Sequence, residues 1–149
     1  MDDAHPNVTA TLHYPPGRTP PVWAVERPVV WALRRLKLAL RDHRIDATAS
    51  RVRLATDAAE IVLASGADRG VADGIVLTVR PRGATDAAMA ADLARALLRR
   101  IEGCHPVRAV FWHPTLDGTV KALSPLRREA LRAIARDKDV GLLALRLHA

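Results

Sequence analysis

Two sets of basic side chains have the chemistry to grip a phosphate: Arg34, Lys37, Arg41 and Arg44, three or four residues apart, and Arg80 and Arg82, either side of Pro81. A guanidinium offers a planar fork to two oxygens, whereas an ammonium acts as a point charge. Such residues displace counterions from a nucleic-acid backbone, but reading bases needs side chains placed in a groove. The same spacing also fits an ordinary solvated helix face. In "WHPTLDG", His113 and Asp117 bracket a loop directly after an apolar run, a place where sites form. A plain turn is the competing reading, because His-Pro pairs also occur at His5 and His105. Cys104 and His105 are neighbours, so on an extended segment their side chains point apart. Gly66, Gly70 and Gly74 have the wrong spacing for a phosphate loop and precede a strand pattern. No zinc constellation or nucleophile elbow is present, and no cofactor is expected.

The 149 residues suit a single domain, 1–149, with a Pro-rich segment at 15–21. Lys and Arg number 23 against 16 Asp and Glu, a formal charge of +7 that suits nucleic acid or another polyanion. The Arg-over-Lys bias, with lysine only at Lys37, Lys121 and Lys138, also fits a chain coded by GC-rich DNA. One cysteine excludes an internal disulfide and a multi-cysteine zinc site. The polar start "MDDAHPNVT" and the lack of a long apolar run predict a soluble, cytoplasmic protein with no membrane partner.

The patterning predicts an α/β fold, bordering on α+β: a mixed central sheet flanked by helices, in the order β-α-β-β-β-α-β-α-β. "VTATLHY" reads as the first strand. A helix is predicted over 28–44, with Pro28 in its first turn and Val29, Leu33, Leu36 and Leu40 at helical spacing. On it Arg27, Arg34, Lys37, Arg41 and Arg44 form one flank, and Trp31 and Leu38 lie on the far side. Either "PPVW" folds back so that Trp23 covers Trp31, or Trp23, Trp31 and Leu38 meet a partner or a second copy. "RVRLA", "EIVLAS" and "GIVLTVRP" read as three strands, with a helix starting at Thr56 as the competing reading. The pentapeptide "ATDAA" occurs at 55–59 and again at 84–88, where Thr85 is the expected N-cap of a helix over 86–102. "VRAVFW" reads as a buried central strand. Ser124 and Pro125 open a predicted helix to about 138, and "VGLLALRL" closes the chain as a strand in a parallel crossover.

From the helix near Pro28 to the strand near Val107, this order resembles the restriction-endonuclease-like superfamily, the PD-(D/E)xK nucleases, whose core is a helix, three strands, a helix and a strand. The resemblance implies a carboxylate on the second strand and a carboxylate and a lysine two residues apart on the third. Glu60 stands where the first would lie, and Thr78, Val79 and Arg80 match the triplet by position. A hydroxyl then replaces the second carboxylate, and a guanidinium that keeps its proton replaces the lysine. A hard cation such as Mg2+ favours carboxylate oxygens, so Glu60 with Thr78 makes a poor site unless Asp57, Asp68 or Asp73 joins it; Asp73, just before the third strand, is the best placed. The family often carries a glutamine on the next helix, and this chain contains none.

These readings lead to a non-catalytic, nuclease-like domain that binds nucleic acid or serves in a nucleic-acid-handling complex. The alternatives are a protein-interaction module or small chaperone dimerising through the first helix, and a metal-dependent nuclease, which alone would use Mg2+.

Overall fold

The computed structural model describes residues 7–45 and 50–112. Their elements are β1 (Val8–His13), α1 (Val22–Arg35), β2 (Asp42–Ile45), β3 (Arg51–Ala55), β4 (Ala59–Ser65), a 3-10 turn (Gly66–Arg69), β5 (Gly74–Pro81), α2 (Ala87–Cys104) and β6 (Ala109–Trp112). The expected α/β class, helices with one central sheet, is present, with four strands between α1 and α2 instead of the expected three. The strands form one sheet in the order β2-β3-β4-β5-β1-β6, and every pairing among the described residues is antiparallel. Because β1 lies antiparallel between β5 and β6, those two run parallel, and β5-α2-β6 is a split strand–helix–strand unit. His113, Asp117, the helix expected from Ser124 and the closing strand with its parallel crossover lie outside the described residues.

Alternation explains which sheet face is covered. Leu12, Leu54, Ile61, Leu63, Ile75, Leu77 and Val79 are almost completely buried and join α1 and α2 in one core. The register sets Leu12 opposite Ile75 and Leu63 opposite Leu77, so these side chains share the helix-facing surface. Leu93, Leu97 and Ile101 of α2 and Val25, Val29 and Leu33 of α1 complete it at helical spacing. Among the described residues no helix is long and apolar enough to cross a membrane.

The first helix departs most from expectation. It starts at Val22 and ends at Arg35, with Pro28 buried inside it instead of opening it. Pro28 lacks the N–H that would bond four residues back, a loss the helix tolerates while burying Val22, Val25 and Val29 on one stripe. Its end is a Schellman motif: Leu38 N–H donates to the Leu33 carbonyl at 2.9 Å, and Lys37 N–H to that of Arg34 at 3.0 Å. Lys37 takes the left-handed conformation, φ 59°, that usually calls for glycine. The following residues form β2, antiparallel to β3, and His43 on β2 reaches Glu26 on α1, Nε2 to Oε1 2.9 Å.

Other expectations are corrected in detail. The "ATDAA" at 55–59 makes no helix: the Thr56 hydroxyl accepts from the N–H groups of Ala58 and Ala59 and donates to the Ala59 carbonyl, which closes the β3–β4 hairpin. In the second copy the N-cap is Asp86, one residue later than expected, its carboxylate accepting from Met89 N–H at 2.8 Å. The run ending in Phe111 and Trp112 forms an edge strand among the described residues, not a buried central one, and Phe111 is 62% exposed.

Candidate functional site

Three connections converge at one end of the sheet: the segment after α1, the β3–β4 hairpin and the loop from β5 into α2. Backbone bonds fasten them, with Arg41 N–H donating to Ala55, Arg82 N–H to Ala58, and Thr85 N–H to Arg82. Between them opens a cavity of about 300 Å³ whose charged lining is Lys37, Arg41, Arg82 and Asp57. The three cations come from two stretches of chain, Lys37 and Arg41 from the segment after α1 and Arg82 from the β5–α2 loop, and among the described residues one carboxylate, from the hairpin, sits among them. Arg41 forks onto Asp57, Nη2 to Oδ2 2.9 Å and Nε to Oδ1 3.2 Å, with both side chains mostly exposed. These hydrogen bonds, then the guanidinium's charge, hold the Asp57 carboxyl below its ordinary range and push Arg41 upward. Arg82 adds a weaker pull on Asp57. A surplus of positive charge is left in a recess that an oxyanion can enter.

A second recess, about 430 Å³, adjoins the first, with Lys37, Leu38 and Ala39 in both linings. Val30, Leu33, Leu38 and Leu40 give it an apolar lining, with Arg34 beside it. Leu33 and Leu38 form its floor, since both are buried in the core. The Schellman turn builds this junction by burying Leu38 while leaving Lys37 exposed.

The other expected site residues are distributed differently. Arg34, Lys37, Arg41 and Arg44 do not share a helix stripe, because α1 stops at Arg35. Arg34 is on α1, Lys37 and Arg41 follow it, and Arg44 is on β2, opposite Arg53 and paired with Asp42 at 3.0 Å. Arg80 lies on the sheet face turned from the helices, and only Arg82 joins the cavity. Glu60 is directly opposite Arg80, Oε1 to Nη1 3.3 Å, and Arg53 approaches at 3.8 Å, so it neutralises guanidiniums. Thr78 faces Val62 across the ladder. Asp73 precedes the opposite end of β5, about 23 Å along the strand from Arg80 at 3.3 Å per residue, and accepts from the Thr19 hydroxyl. Among the described residues no three His, Cys, Asp or Glu side chains group as metal ligands.

The proposed partner face of Trp23, Trp31 and Leu38 also separates. Leu38 is in the core, and Trp23, 55% exposed on the first turn of α1, does not roof Trp31. Arg100 of α2 does so instead, 3.6 Å from the ring centroid, with Arg35 at 5.2 Å. Sequence reasoning singled out Lys37, Arg41 and Arg82 but missed Asp57 as the partner of Arg41 among them and the apolar recess beside them. The one available signal was "LKLAL", whose alternation fits a helix exit as well as a helix interior. Comparison with protein-family models, curated proteins and solved structures gave no match.

Proposed function

We propose that this chain is a non-catalytic nucleic-acid-binding domain that holds backbone phosphate at Lys37, Arg41 and Arg82. The observation that carries the reading is the convergence of these three cations on one recess with a single carboxylate. Arg34 at the adjoining recess and the formal +7 of the chain extend the attraction over a longer stretch of polyanion. The resemblance to PD-(D/E)xK nucleases supports a nuclease-like scaffold only through coarse element order, a helix, strands, a helix and a strand, with four strands, β2 to β5, where that core has three. Its expected metal ligands favour binding over hydrolysis, since Glu60 is engaged by arginines and Asp73 is remote. A cytoplasmic location belongs to this same reading.

The test is fluorescence anisotropy of labelled single- and double-stranded DNA across a salt series without divalent metal. Binding that weakens steeply with salt, and weakens further in Lys37→Ala/Arg82→Ala, is the expected result. No binding at low salt makes the basic recess compositional and overturns the reading.

A second reading rests on Trp23, whose indole is 55% exposed: contact with a protein partner or a second copy through the first turn of α1. Light scattering over a concentration series tests the homodimer form. A mass that rises in the wild type and stays monomeric in Trp23→Ala supports it, and a monomer throughout removes it.

A further inference from the structure

We propose, building on the nucleic-acid reading, that the apolar recess receives one unpaired nucleobase while its phosphate sits at Lys37, Arg41 and Arg82, so that the preferred ligand is single-stranded. The two recesses adjoin, with Lys37, Leu38 and Ala39 in both linings, but differ sharply in chemistry. One side is charged; the other is walled by Val30, Leu33, Leu38 and Leu40. A nucleotide is divided in the same way, with an anionic phosphate next to a flat, largely apolar ring. Each recess, at about 430 and 300 Å³, is at the small end of ligand sites and suits one unit of a chain, not a folded partner.

Lys37 makes the arrangement directional. Its left-handed turn places it at the boundary, lining both recesses, where its ammonium reaches the phosphate without occupying the base position. Arg34 beside the apolar recess suits the next phosphate along the strand. The aliphatic part of the wall meets the largely apolar face that every base presents, with Arg34 and Lys37 beside it for the phosphates. Duplex DNA keeps its rings stacked inside the helix and offers only groove edges, so it leaves this recess empty.

The experiment compares four probes at low salt: a short labelled single strand, a strand of equal length and phosphate number with abasic sites throughout, a duplex, and an acidic leucine-bearing peptide. The base-bearing strand is expected to bind about tenfold tighter than the abasic strand through apolar burial of a base, with the duplex no better than the abasic one and the peptide weakest. Ala39→Leu, which fills the recess from an exposed position without adding an aromatic face, is expected to bring the ratio of base-bearing to abasic affinity down to about one. Equal binding of base-bearing and abasic strands that still depends on Lys37 and Arg82 overturns this inference while leaving the phosphate reading intact. Absence of all DNA binding removes both, and a peptide that binds tightest assigns the recess to a protein segment and overturns the inference.

Discussion

Arg80 stands opposite Glu60 on the β4–β5 ladder, its Nη1 3.3 Å from Oε1, while Arg53 approaches the same carboxylate from β3 at 3.8 Å. The side chain to which the nuclease resemblance assigned a cation is thus already shared by two guanidiniums. Both pairs are partly exposed, so Glu60→Gln is expected to cost only about 0.5–1 kcal/mol in urea unfolding. Wild-type protein is expected to leave plasmid intact with Mg2+ or Mn2+. Nicking by the wild type that disappears in the variant would restore the metal-nuclease reading.

Lys37 separates stability from binding. Its left-handed backbone suits glycine, so Lys37→Gly is expected to stabilise the fold by about 1 kcal/mol. The same change removes a charge from both recesses and is expected to weaken DNA binding severalfold. Urea unfolding and anisotropy on one preparation check both signs; a destabilised variant would show that the lysine side chain itself supports the turn.

Among the described residues Asp57 is the one carboxylate in the basic recess, and Asp57→Asn is expected to tighten DNA binding at neutral pH without moving any backbone. Its carboxyl is held below the ordinary range by Arg41. Any stability it adds is therefore present above the unfolded-state value and lost as pH falls through the lower folded-state value. Thermal scans from pH 6 down to pH 3 are expected to show a steeper loss in wild type than in Asp57→Asn.

Thr56 is fully buried and its hydroxyl serves two N–H groups and one carbonyl of the hairpin. Thr56→Val keeps the shape and takes the hydroxyl from the Ala58 and Ala59 N–H groups, while the Ala59 carbonyl keeps the Thr56 N–H at 2.9 Å, so a loss of about 2 kcal/mol is expected in chemical denaturation. An accompanying fall in DNA affinity would show that this hairpin positions Asp57 and Arg41. A variant as stable as wild type would mean that water replaces the hydroxyl.

Tyr14 is 3% exposed, and among the described residues its hydroxyl has no hydrogen-bond partner. Burial, assisted by the charge of Glu102, pushes its pKa up to about 12. The neutral phenol is thus favoured by folding: its contribution is complete below pH 10 and drains away as pH rises from the unfolded-state value toward the folded one. Tyr14→Phe is expected to be neutral or slightly stabilising at pH 7, and to remove on the order of 1–2 kcal/mol of alkaline destabilisation between pH 10 and 12. Parallel alkaline unfolding curves for the two proteins would contradict it.

Strand alternation in "RVRLA" and "GIVLTVRP" was sufficient to place β3 and β5, because burying one face of a sheet imposes a period of two on the chain itself. The apolar stripe of Leu93, Leu97 and Ile101 likewise marked α2 through its own periodicity. Residues 33–40 carry leucines compatible with both a continuing helix and an exit from one, so local pattern could not end α1. The ending depends on burying Leu38 under a left-handed Lys37 and on β2 pairing with β3, contacts made across the fold. The two copies of "ATDAA" show the same dependence: one closes a hairpin and the other starts a helix, because the segments that follow pack differently. The sequence supplied the cations, whose types are fixed residue by residue. Their meeting at one recess, with Asp57 as counter-ion and an apolar neighbour, was decided by tertiary structure, since proximity between residues 37, 57 and 82 is created only when three connections are tied together at one end of the sheet.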